Sequence, residues 1–156
     1  MKKLLTILAL AVGMTAGAQT YVNGSFSYYN GAGTFSNQGM ATIEVGRYLQ
    51  EDFTAGIAVG TTSFSGGNMY VEARPTFYYS SGKFSQGFTI GVGYVFNSSA
   101  PFMVEWGTST NFQFSKQWSV GVAIGGYNFN GELFAADYSY FGTSITYTFK
   151  RKKSKS

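Results

Sequence analysis

Three stretches of the chain alternate large apolar residues with Gly, Ala, Ser or Thr: Phe53-Thr54-Ala55-Gly56-Ile57-Ala58-Val59-Gly60, Phe88-Thr89-Ile90-Gly91-Val92-Gly93-Tyr94 and Trp118-Ser119-Val120-Gly121-Val122-Ala123-Ile124-Gly125. Side chains on a strand point to opposite faces with a period of two. Each stretch therefore has one greasy face and one small, mildly polar face without charge. A soluble sheet needs charge on its wet face. The pattern predicts strands whose bulky face meets lipid while the small face lines a closed barrel.

The punctuation between strands sets their number. Residues 49–53, 84–88 and 114–118 share one form (apolar, three turn residues, aromatic) and are predicted as tight turns at one end. Longer Gly/Asn/Ser-rich connections at 30–38, 64–68, 97–101 and 128–134 alternate with them. Strands are expected near 20–29, 39–49, 53–63, 69–79 (continuing to 84), 88–96, 102–114, 118–127 and 135–149. The fold class is all-β: an eight-stranded antiparallel up-and-down transmembrane β-barrel. Short turns of outer-membrane barrels are periplasmic, which puts the tight turns and both termini there. Pro75 in the fourth strand lacks an N–H for the ladder. The parity break at Ser80-Ser81-Gly82 predicts a β-bulge.

Sorting by parity sends Ile43, Ile57, Val92, Val104, Val122, Ile124 and Ile145 outward, with Arg47 as the one charge among them, close enough to the rim to snorkel. Inward positions are small on strands 3, 5 and 7 (Gly56, Ala58, Gly60, Gly91, Gly93, Gly121, Ala123, Gly125). They are large on strands 2, 4 and 6 (Met40, Tyr48, Tyr70, Tyr78, Met103, Asn111). Small beside large lets an eight-stranded lumen fill with side chains, a core and not a pore. Glu44, Glu72, Arg74 and Glu105 also point inward at similar depth. Charges in a narrow barrel must pair or protonate, so a lumen network anchored on Arg74 is expected. Glu51, Asp52, Lys83, Lys116, Glu132 and Asp137 fall in or beside turns and loops.

The two ends change the picture of charge. Lys2 and Lys3, an apolar run over 4–12 and Ala16-Gly17-Ala18 describe a secretory signal peptide over 1–18. That leaves the barrel at 19–149 and a basic periplasmic tail at 150–156. Five of the 11 basic residues lie in that tail and two in the signal, so the barrel keeps four cations against seven acids. The formal charge of +4 therefore reports the tail and no nucleic-acid surface. With no Cys and no His, thiolate chemistry and the commonest metal ligand and general base are missing. No catalytic, cofactor or metal residue is assigned.

The last strand, Tyr140-Phe141-Gly142-Thr143-Ser144-Ile145-Thr146-Tyr147-Thr148-Phe149, resembles the signal read by barrel-assembly machinery. Gly142, Ile145, Tyr147 and Phe149 would carry it, although Phe149 is not terminal here. With the strand map, the chain resembles the small eight-stranded outer-membrane barrels of the OmpA/OmpX type. The resemblance implies a Gram-negative outer membrane, a monomer, partnership with outer-membrane lipid and lipopolysaccharide, and passage through the assembly machinery. Related lipid A-modifying barrels use a catalytic His, which this chain lacks. The expected role is structural or surface-interacting. The alternatives are a passive channel for small or apolar solutes and a soluble, lipocalin-like barrel with its apolar face inward.

Overall fold

The computed structural model describes residues 19–31, 38–62, 67–98, 101–129 and 138–149. The signal peptide expected over 1–18, the tail at 150–156, Glu132 and Asp137 lie outside them. Eight antiparallel strands close in chain order: β1 (Gln19–Gly31), β2 (Gln38–Tyr48), β3 (Phe53–Thr61), β4 (Met69–Ser81), β5 (Phe84–Val95), β6 (Phe102–Gln113), β7 (Trp118–Asn128) and β8 (Tyr138–Thr148). β8 pairs back onto β1, Tyr21 opposite Thr148, so no edge is left open.

The stagger follows from the pairing. Gln19 faces Tyr48, then Thr54, Thr76, Thr89, Gly107, Gly125 and Tyr140, and the circuit returns to β1 at Tyr29, ten residues further along. With ~3.3 Å per residue and ~4.8 Å between strands, that shear tilts the strands by about 40°. An 11-residue strand such as β2 then rises roughly 28 Å, enough for the ~25 Å apolar band of an outer-membrane barrel.

Two expectations are corrected between β4 and β5. No bulge occurs at Ser80-Ser81-Gly82: the register is constant from Tyr70 opposite Val95 to Ser81 opposite Phe84. The tight turn expected at 84–88 is strand, and the chain reverses through Gly82-Lys83 instead. Gly82 takes a positive φ of 62°, which a two-residue hairpin requires at its first central position and glycine adopts without steric cost. Phe84 therefore faces outward as the first residue of β5, and no extra residue is needed for parity. The irregularity lies at proline: pairing is interrupted between Ala73–Val92 and Thr76–Thr89, the gap that holds Arg74 and Pro75. The other two tight turns stand as expected. Leu49 N–H donates to Phe53 O at 2.9 Å, and the Ser115 hydroxyl accepts from Trp118 N–H at 3.0 Å.

The exterior is apolar. Ile43, Val92, Phe102, Val122, Ile124, Phe141 and Ile145 are all exposed, whereas Val104, expected outward with them, is buried at 7% exposure. Rings pair along the turn end, Phe53 with Phe77 at 4.8 Å, Phe84 with Phe112 at 5.1 Å and Trp118 with Tyr147 at 4.8 Å. Gly125 packs tightly against the backbone of β6. A Cβ there would meet the Trp106 carbonyl and Gly107 Cα, both backbone, whereas one on Gly24 has only an Ile145 methyl at 4.0 Å. Gly125→Ala is expected to lower stability by about 1–3 kcal/mol and Gly24→Ala to leave it nearly unchanged, measured as urea midpoints of the folded barrel in vesicles.

Candidate functional site: a layered lumen

The interior has three tiers, set by where inward positions fall along the strands. At the loop end, β2, β4 and β6 each begin with a bulky inward residue: Met40, Tyr70 and Met103. These cluster with Val95, Tyr127 and Tyr140, and Ala123, Phe129 and Tyr138 pack against them. Tyr70 and Met103 are wholly buried. The loop end of the lumen is thus filled by side chains.

The charged tier lies directly beneath. Glu72 and Arg74 follow Tyr70 by two and four positions, Glu105 follows Met103 by two, and Glu44 follows Met40 by four. Arg74 spans the three carboxylates. Its Nη1 donates to Glu44 Oε2 at 3.1 Å and its Nη2 to Glu105 Oε1 at 2.8 Å, and its Nε stands 3.8 Å from Glu72 Oε2. All four residues singled out from sequence therefore meet at one place. Tyrosines not assigned to the network from sequence complete it. Tyr21 donates to Glu44, and Tyr140 and Tyr127 donate to Glu105 Oε1 at 2.7 and 3.4 Å. The available signal was the alternation of Tyr21, Asn23, Ser25 and Ser27 against Val22, Phe26 and Tyr28 on β1.

Glycine makes the room. A Cβ on Gly56 would strike the Glu44 carboxylate, and one on Gly91 the Glu72 carboxylate; Gly46 and Gly60 admit the rings of Tyr21 and Tyr70 in the same way. The small faces of β3 and β5 are sockets for the long side chains of their neighbours.

Compensation within the tier is uneven. One guanidinium faces three carboxylates, and Glu72, 1% exposed, has no hydrogen bond to either oxygen. Glu105 Oε2 also lacks a partner, and both Glu72 and Glu105 border Gly91. A buried carboxylate held by one long ion pair and no hydrogen bond is poorly compensated. Glu72→Gln is expected to raise stability by about 1–2 kcal/mol, because the amide carries no charge and supplies a donor. Equilibrium urea unfolding in vesicles checks this, and a loss of stability would show that the Glu72 charge is needed.

Below Arg74 the lumen is polar and partly hollow. Asn23 donates to Thr146 at 2.8 Å, and Thr76 and Thr89 share a hydrogen bond at 2.9 Å. A cavity of about 90 Å³ lies among Asn23, Ser25, Tyr48, Thr76, Tyr78, Ser109, Asn111 and Thr146, with Glu44, Arg74 and Glu105 on its wall. Its volume and polar lining suit several waters. The described residues contain no group of three or more acidic side chains arranged to hold a metal.

Gly142 of the last strand faces inward against Ser27, Ile145 outward, and Tyr147 stands between Trp118 and Phe149, ring centroids 4.8 and 5.0 Å apart.

Eight antiparallel strands closed in sequence around a lumen that carries charged side chains, with hydrocarbon on the outside, make the fold of a small up-and-down β-barrel. No family model matches the chain, nor does any curated protein sequence. Solved structures do. A de novo designed transmembrane β-barrel is similar with a TM-score of 0.68 at 10% identity, over 86% of this chain and 98% of that one. The N-terminal β-barrel domain of Pseudomonas aeruginosa OprF gives 0.64 at 11% identity, over 85% and 99%. Neisserial surface protein A gives 0.51 at 8% identity, over 83% and 97%. At such identities the likeness is one of fold.

Proposed function

We propose that the protein is an integral outer-membrane barrel of a Gram-negative envelope, exported by its signal peptide, with a structural or surface-interacting role and no catalysis. The observation that carries this is the closed lumen: Arg74 bridges carboxylates from β2, β4 and β6, and the Met40–Tyr70–Met103 tier stands above it. Tight turns and both termini face the periplasm in this scheme, and the loop end faces the medium. Outer-membrane lipid and lipopolysaccharide surround the wall. The last strand, through Gly142, Ile145, Tyr147 and Phe149, would be read by the assembly machinery. The barrel acts as a monomer. The tail at 150–156 extends into the periplasm.

The alternative, a passive channel for small or apolar solutes, draws support from the polar cavity on the turn side. Against it stand the Arg74 ion network and the buried Met40–Tyr70–Met103 cluster, which occupy the lumen. Single-channel recording in planar bilayers separates them: silent bilayers are expected of the wild type, and reproducible unitary steps would favour the channel.

A further inference from the structure

The tier around Arg74 holds more acceptors than donors. The two Nη atoms of Arg74 donate to Glu44 and Glu105. Tyr127 and Tyr140 donate to Glu105 Oε1, and the Tyr70 hydroxyl shares a hydrogen bond with Thr42. Arg74 Nε stands 3.8 Å from Glu72 Oε2, too far for a hydrogen bond. Both oxygens of Glu72 and Oε2 of Glu105 are left without a donor, although the two residues are 1% and 0% exposed.

Gly91 brings these oxygens together. Glu105 on β6 pairs directly with Gly91 on β5. Glu72 comes from β4, on the other side of β5, and its Oε1 fills the space where a Gly91 side chain would start. The glycine thus lets one carboxyl lean across its strand to within hydrogen-bonding reach of the other. Glu72 does not border the turn-side cavity, so water held there is not its missing donor. The groups facing the pair are Arg74 and Tyr70 on β4, Glu44 on β2, Tyr127 on β7 and Tyr140 on β8. From β3 and β5 only Ala58, Gly91 and Gly93 stand opposite it. Arg74 is the only cation among these, and Glu44 shares it. Two carboxylates in one dry site do not both ionise. We infer that Glu72 and Glu105 form a carboxyl–carboxylate pair that binds one proton at neutral pH. One carboxyl then donates to the other, and the formal charge of the tier is −1 instead of the −2 of one guanidinium among three carboxylates. The proton belongs to the pair and to neither residue alone.

Equilibrium urea unfolding of the full chain in vesicles, from about pH 5 to about pH 8, reads this proton by linkage. Unfolded Glu side chains release theirs near pH ~4.3. The folded barrel therefore carries one proton more across the window, and its stability falls as pH rises. The wild-type unfolding constant should climb about tenfold per pH unit while the pair holds its proton. Glu72→Gln supplies the donor as an amide and should remove that dependence. The chain has no His and no Cys to titrate in the same range, and its α-amino group is common to both proteins. Infrared spectra give a second measurement on the unaltered chain. In vesicles of diether phosphatidylcholine, whose lipids lack ester carbonyls, the wild type should show a protonated carboxyl at neutral pH that Glu72→Gln lacks. Parallel pH profiles for the two proteins overturn the assignment, as does a wild type without a protonated carboxyl. So does wild-type stability that follows sodium or potassium at fixed pH and ionic strength, because a metal cation would then fill the gap.

Discussion

Replacing Arg74 with Met is expected to destabilise the barrel by about 3–5 kcal/mol, the usual result of removing one partner from a buried ion network. Arg74 is 15% exposed and its three partners are 9% exposed or less, so little solvent screening is available to the stranded carboxylates. Glu105 and Glu72 are sealed at 0% and 1% exposure, and Glu44 is scarcely more open at 7%. Arg74→Lys should fall between the two, because an ammonium keeps the charge but loses the fork that reaches Glu44 and Glu105 together. If electrostatics is the cause, adding Glu72→Gln and Glu105→Gln to Arg74→Met should recover most of the loss. Urea midpoints in vesicles read all of these. An Arg74→Met protein as stable as wild type would show that the lumen is held by packing alone.

The second large effect lies on the opposite face of the sheet. Ile43 is the central residue of β2, points outward and is 61% exposed. At mid-depth in a bilayer an arginine costs about 2–4 kcal/mol, so Ile43→Arg should weaken the barrel by that amount in vesicles. On a water-facing surface the same change stays within about 0.5 kcal/mol. The native comparison is Arg47, four residues along the same face toward the turn end, where its long side chain can reach the interface. Thermal or urea unfolding of Ile43→Arg thus distinguishes a lipid-facing wall from a water-facing one, while the outward Ile43 already departs from a lipocalin-like barrel with its apolar face inward.

Architecture was legible because period-2 alternation is a local signal and a barrel repeats it eight times. Strand number, the outward set and the meeting of Glu44, Glu72, Arg74 and Glu105 all follow from parity and comparable depth. The β4–β5 turn was not legible. Phe84-Ser85-Gln86-Gly87-Phe88 copies the turn form of 49–53 and 114–118 in composition, whereas the chain reverses at Gly82-Lys83, where Gly82 alone can hold the positive φ. The hydroxyls that complete the network were missed for another reason. Tyr21 and Tyr127 lie on strands adjacent to their acceptors, Tyr127 directly opposite Glu105, and Tyr140 reaches Glu105 from β8, two strands away, so strand register and shear decide which rings reach which carboxylates. Shear belongs to the closed ring of pairings and has no local signature.

Two tryptophans stand on the outer wall, Trp118 at the turn end and Trp106 farther toward the loops. Trp118→Phe leaves Trp106 as the single indole reporting on that wall. In vesicles whose phospholipids carry bromine on the acyl chains, its fluorescence is expected to be strongly quenched, while acrylamide in the water has little effect. Strong acrylamide quenching with no response to brominated lipid would place this face in water and contradict a barrel that turns its hydrocarbon outward.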